Sequence, residues 1–115
     1  GDIMFEKNLN IGYLLDFYGT LLSDRKKETL DLYYNDDLSL SEIAEMLGIS
    51  RQGVRDIVKK AEDELIFFES RLGLAGKFAS AKKHIENIRT VSDALGGSAA
   101  EEIKKELDAL SSDLG

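Results

Sequence analysis

LSLSEIAEMLGISRQGVRDIVKK, residues 38–60, reads as two short helices joined by a tight turn. Within residues 40–60, apolar side chains fall at Ile43, Leu47, Ile49, Val54 and Ile57, with a small residue at Ala44 and a glycine at Gly48. The pattern has a steric reason. Two helices that cross steeply need a small residue at their contact, which Ala44 supplies. The turn needs a residue that tolerates positive φ, which Gly48 supplies. The five apolar side chains then bury the inner faces together. Two caps agree with this reading. Ser39 and Glu42 make an S-x-x-E capping box for the first helix, and Ser50 caps the second, which starts at Arg51. This is the layout of a helix-turn-helix, whose second helix can enter a DNA major groove. The plainer alternative, a helical hairpin with a basic solvent face, leaves the coincidence of alanine, glycine and both caps unexplained.

The second helix carries Arg51, Gln52, Arg55, Lys59 and Lys60 among its polar positions. Ser50, Arg51, Gln52, Arg55 and Lys59 are expected to face outward. Arg and Gln can make bidentate contacts with guanine and adenine edges. Ser50 and its neighbouring amides can hold a phosphate at the helix N-terminus. Gly53 leaves room for close approach to a partner, or is simply tolerated there.

Charge sets a limit on that role. The 115 residues carry a net charge of −7, whereas phosphate contacts need Lys and Arg. Residues 51–60 hold a net +3, residues 1–50 a net −6, residues 61–97 a net −1 and residues 98–115 a net −3. The positive density is therefore an island on the second helix. Nucleic-acid binding by one copy is expected to be weak and sensitive to salt.

The rest of the chain predicts an all-α fold. Proline is absent throughout, which favours uninterrupted helices. A first helix is expected over Leu9–Tyr18, with Leu14, Leu15, Phe17, Tyr18, Leu21 and Leu22 as apolar anchors. A second is expected from the cap Ser23 to about Tyr34, with Leu30, Tyr33 and Tyr34 as its apolar face, ended by Asn35-Asp36-Asp37. The helix starting at Arg51 continues as a heptad seam through Val54, Val58, Ala61, Leu65, Phe68 and Leu72, and breaks near Gly73. A fifth helix repeats the rhythm at Leu74, Phe78, Ala81, Ile85, Ile88, Ser92 and Leu95. Gly96-Gly97 breaks it. A last helix, capped by Ser98, shows Ile103, Leu107, Leu110 and Leu114. The expected organisation is a helix-turn-helix domain over 4–72 and a helical extension over 73–115. The stripes exceed what one small domain can bury, so a homodimer through the C-terminal helices is expected, which would also pair two recognition helices.

Enzymatic chemistry finds little support. His84 has no nearby partner for nucleophilic catalysis or metal binding, Asp36 and Asp37 sit in a turn, and no glycine loop cradles a phosphate. No cofactor is expected. The absence of cysteine fits a reducing cytoplasm, and no run is apolar enough for membrane insertion. Gly1, Asp2 and Ile3 ahead of Met4 read as an added remnant, and GDIMFEKNLN lacks the apolar core of a signal peptide.

Residues 16–65 resemble the YlxM family of small helix-turn-helix proteins of Gram-positive bacteria. The match is carried by Asp16-Phe17-Tyr18, by Leu32 to Asp37, by SLSEIAE at Ser39 to Glu45 and by SRQGVRD at Ser50 to Asp56. The same motif is similar to region four of bacterial sigma factors, which reads promoter DNA. That similarity implies a fold of the winged-helix-like superfamily without a wing. The family more often has alanine where this chain has Gly53, which should loosen that turn slightly. The resemblance also implies a link to the signal recognition particle, whose genes typically lie beside those of the family. Its protein or RNA is then a possible partner alongside DNA.

Overall fold

The computed structural model describes residues 9–115; the expected remnant at Gly1–Ile3 and the domain start at Met4 lie outside them. Among the described residues there are six α-helices and no strand: α1 (Leu9–Tyr18), α2 (Asp24–Leu30), α3 (Leu40–Leu47), α4 (Arg51–Leu72), α5 (Leu74–Leu95) and α6 (Gly97–Leu114). The chain divides at Gly73 into two compact units, the second running from Leu74 to Gly115.

In the first unit α4 is the central element and packs on α1, α2 and α3. Its buried residues, Val54, Val58, Ala61 and Leu65, are all completely buried. Their spacing of four, three and four residues keeps them on one side of a 3.6-residue helix. Phe68 is half-buried and Leu72 exposed, so the heptad seam continues past the core. The facing side chains are Ile11, Leu15, Tyr18 and Leu22 from the α1 region, Leu30 and Tyr33 from the α2 region, and Leu40, Ile43 and Ala44 from α3. Leu21, expected as an anchor, is exposed.

Local signals set the boundaries of α3 and α4. Ser39 Oγ accepts from Glu42 N–H at 3.0 Å, and Glu42 Oε1 accepts from Ser39 N–H at 3.1 Å, completing the capping box. Gly48 ends α3 at φ 69°, in the left-handed region that costs a side chain about 1–2 kcal/mol. Gly73 ends α4 in the same way at φ 62°.

The segment after α2 differs from expectation. The α-helix stops at Leu30 and the chain widens into a π turn, Asp31–Asn35, closed by Asp36 N–H to Asp31 C=O at 3.0 Å. Asp31 bridges this join, accepting from Lys27 Nζ and Asn35 Nδ2, both at 2.9 Å. The extra residue per turn re-aims the side chains that follow. Tyr33 is buried and Tyr34 reaches α4.

In the second unit α5 and α6 pack as a helical hairpin. Its buried side chains are Ala75, Ile85, Ser92 and Leu107, with Ser92 Oγ donating to Ala100 C=O at 3.4 Å. Leu74, Ile88, Leu95 and Leu110, expected in the apolar stripes, are exposed. The Ser98 cap is also not formed. Helix α6 begins at Gly97 with Gly96 at the N-cap and no side-chain cap bond. The return is made by Gly96 and Gly97 at φ 65° and 83°, so Ser98 already lies in the first turn.

Candidate nucleic-acid interface

Helix α4 opens with Ser50 at the N-cap, whose Oγ accepts from Gly53 N–H at 2.9 Å. The hydroxyl oxygen therefore serves the cap directly. Buried Val54 and Val58 set which way the first three turns face. At about 100° per residue, Arg51, Gln52, Arg55 and Lys59 fall within roughly 100° of one another on a flank that starts beside those valines and runs round toward the outer side. Arg51, Gln52 and Lys59 are exposed, and Arg55 is half-buried. Lys60 is exposed but sits another 100° or so around the helix, apart from that flank.

Gln52 and Lys59 are engaged along the helix. Gln52 Nε2 donates to Asp56 Oδ1 at 3.0 Å. Lys59 Nζ pairs with Asp63 Oδ1 at 3.2 Å, both side chains largely exposed. Such an exposed pair is worth a few tenths of a kcal/mol, so water or a phosphate can displace it readily. Asp56 and Asp63 stand four residues after Gln52 and Lys59. They interleave carboxylates with the cations of α4.

Three acidic residues on the distal turns fasten α4 to the rest of the unit. Tyr18 Oη donates to Glu69 Oε1 at 2.5 Å, Tyr34 Oη donates to Glu62 Oε2, and Lys26 Nζ pairs with Glu64 Oε2 at 2.8 Å. No sequence spacing announces these contacts, because each joins residues 28 to 51 positions apart. They fix the rotation of α4, and so the direction in which Arg51 and Arg55 point.

Burial pushes the Glu62 carboxyl above its ordinary value of 4.5, against the hydrogen bond from Tyr34, which lowers it. A carboxyl raised in the fold favours the folded state while protonated. That contribution is complete below the ordinary value and is lost as pH rises through the folded value. Glu62→Gln keeps an acceptor for Tyr34 without the charge. Thermal unfolding should show the two proteins alike near about pH 4 and the variant more stable near about pH 7. A wild type that gains on the variant with rising pH would contradict this.

Gly53 has a local explanation. A Cβ there would lie 3.1 Å from Ser50 Oγ and 3.7 Å from Ile49 Cδ1. Ser50 is exposed and can yield the few tenths of an ångström required. Alanine in place of an interior helix glycine gains about 0.8–1 kcal/mol. Gly53→Ala is therefore expected to raise stability by about 0.5 kcal/mol in urea denaturation, after the cap adjusts. A clear loss would mean that the Ser50 cap cannot move.

Elsewhere, His84 is exposed on α5, and Asp36 and Asp37 are exposed in the turn before α3, Asp37 at φ 56°. Among the described residues no three His, Cys, Asp or Glu side chains are grouped as a metal site, and no helix is long and apolar enough to cross a membrane.

Residues 5–107 match the family described as "Putative helix-turn-helix protein, YlxM / p13 like". A relative from Caldanaerobacter subterraneus subsp. tengcongensis is 53% identical over 76 residues, 66% of this chain and 65% of the relative, just under two thirds of its length. One from Desulforamulus reducens is 41% identical over 96 residues, covering 83% and 82% of the two chains. One from Geobacillus kaustophilus is 38% identical over 109 residues, covering 93% and 99%.

Proposed function

The chain belongs to the YlxM / p13-like helix-turn-helix family, and from that premise we propose that it is a non-enzymatic cytoplasmic regulator that binds DNA through the first half of α4. One observation carries this reading. Arg51, Gln52, Arg55 and Lys59 share a flank of α4 that begins beside Val54 and Val58, both completely buried. Their backbone is thus held rigid before any partner arrives, which lowers the ordering cost of binding.

In this reading α4 enters the major groove with its N-terminal turns leading. Arg51 and Arg55 supply guanine or phosphate contacts. Gln52, with one amide proton on Asp56, keeps the other proton and its oxygen for an adenine edge. The first-turn amides and the helix dipole favour a phosphate near Ser50. The net +3 of residues 51–60 attracts the duplex, and the acidic remainder opposes it. Affinity should fall steeply with salt. Fluorescence-anisotropy titration of duplex DNA at low salt tests the proposal. Saturable binding that Arg51→Ala and Arg55→Ala weaken supports it; no binding to any duplex, or binding indifferent to both, removes it.

A second reading is favoured by Asp56 and Asp63, which place carboxylates on the exposed side of the same helix. Here the motif docks a cationic protein surface of the signal recognition particle rather than DNA, and the particle's structured RNA, which meets the same carboxylates as DNA would, is the other component to test. A pull-down with those two components separates the readings: retention without duplex binding selects the second, and duplex binding without retention selects the first.

A further inference from the structure

The α5–α6 hairpin has one side that its own packing leaves uncovered. The buried seam of α5 runs through Ile85 and Ser92, and that of α6 through Leu107, flanked by half-buried Ala100 and Leu114. Positions one before and three after those residues form a second stripe on each helix. On α5 the stripe is Lys77, Ala81, His84, Ile88, Val91 and Leu95; on α6 it is Ala99, Ile103, Glu106, Leu110 and Asp113. Both follow the four-three rhythm of a helix–helix contact. Equivalent positions on antiparallel neighbours fall on the same side, so the two stripes make one face. Ile88 is 48%, Val91 62%, Leu95 74% and Leu110 46% exposed, and a shallow groove runs beside Ile103, Leu107 and Leu110. The opposite side carries Arg89, which reaches Asp108 at 2.8 Å, and is polar.

We propose that this face is covered by the same face of a second copy, giving a four-helix arrangement in which α5 of each copy lies on α6 of the other. Charge decides the occupant. The α5 stripe is apolar toward Leu95 and cationic toward Lys77, while the α6 stripe carries Glu106 and Asp113. The hairpin fixes their levels. Ser92 lies beside Ala100 and Lys82 Nζ reaches Gly115 C=O at 3.5 Å, which puts Val91 level with Ile103 and His84 level with Leu110. A two-fold axis parallel to the helices preserves those levels. Val91 and Leu95 then meet Ile103 and Ala99 of the other copy, His84 meets its Leu110, and Lys77 lies one helical turn, about 6 Å, from the level of its Asp113, a gap that a lysine side chain spans. The alternative axis would stack α5 on α5 and leave the carboxylates of α6 facing each other.

The face is modest. The 18 residues of α6 span about 27 Å, and two adjacent helices give a footprint of roughly 500 Å², the low end for a specific dimer. The dimer should therefore dissociate with a constant on the order of 1–100 µM. This inference does not depend on what α4 binds.

Sedimentation velocity of the full chain over that concentration range is the test. The expected result is a concentration-dependent rise from 12.8 kDa to twice that mass. Val91→Glu should weaken the association at least about tenfold, with helix content by circular dichroism unchanged. Lys77→Glu alone should weaken it too, and Lys77→Glu with Asp113→Lys should restore it. A wild type that stays monomeric throughout overturns the proposal. So does a dimer that neither Val91→Glu nor Lys77→Glu weakens, or a weakened one that the charge swap does not rescue.

Discussion

Leu65→Ala is expected to cost the first unit about 2–5 kcal/mol, measured by urea denaturation followed by circular dichroism. Leu65 is completely buried on α4, the helix that packs on α1, α2 and α3. Removing its branched end deletes apolar contact and leaves a cavity that three neighbouring helices cannot all close. Domains of this size hold only about 5–15 kcal/mol in total, so the loss would be a large share of the fold's stability. Phe67→Ala two residues on is the comparison. Phe67 is 54% exposed, with the Arg71 guanidinium 5.3 Å from its ring centre, so its loss should cost about 1 kcal/mol or less. Equal effects at the two positions would mean that α4 is not rotated as described, and the outward flank of Arg51 and Arg55 would go with it.

The second large effect is on binding. Arg51→Ala with Arg55→Ala is expected to reduce duplex affinity by about 1–3 kcal/mol per side chain, about fivefold to 150-fold each, if both contact base edges. If they contact phosphates instead, the loss should be similar for every sequence and the salt slope should fall by about one per contact. Lys82→Ala with Lys83→Ala removes the same charge from exposed sites on α5. Under the proposal this control costs far less than the arginine pair. If both double variants weaken binding equally, the protein responds to net charge alone, and α4 has no special role.

These expectations rest on features that differ in how far the sequence discloses them. Ser39, Glu42, Gly48, Ser50 and Gly73 mark helix ends through contacts with their own neighbours, and each acts at its expected place. The seam of α4 was legible for the same reason: Val54, Val58, Ala61 and Leu65 repeat at the helix period. The π turn at Asp31–Asn35 was not, because an α-helix and a π turn share the same residue preferences, and tertiary packing of Tyr33 and the bond from Tyr34 to Glu62 select the wider turn. The C-terminal stripes were legible as stripes. Which half of each is buried depends on the partner helix, and one hairpin covers Ile85, Ser92 and Leu107 while leaving Ile88 and Leu110 outside. At the candidate interface, residue types and spacing located Arg51, Gln52, Arg55 and Lys59. The clamps from Tyr18, Lys26 and Tyr34 that aim them are tertiary contacts with no local signature.

The central claim is that α4 presents its first half to a nucleic-acid partner, and amide chemical-shift mapping tests it most directly. Unlabelled duplex DNA would be added at low salt to the isotopically labelled full chain. The account predicts progressive shifts concentrated from Ser50 to Lys59, with residues around Glu69 and on α6 nearly unmoved. Shifts centred outside α4, or none at duplex concentrations well above those of the protein, would contradict it.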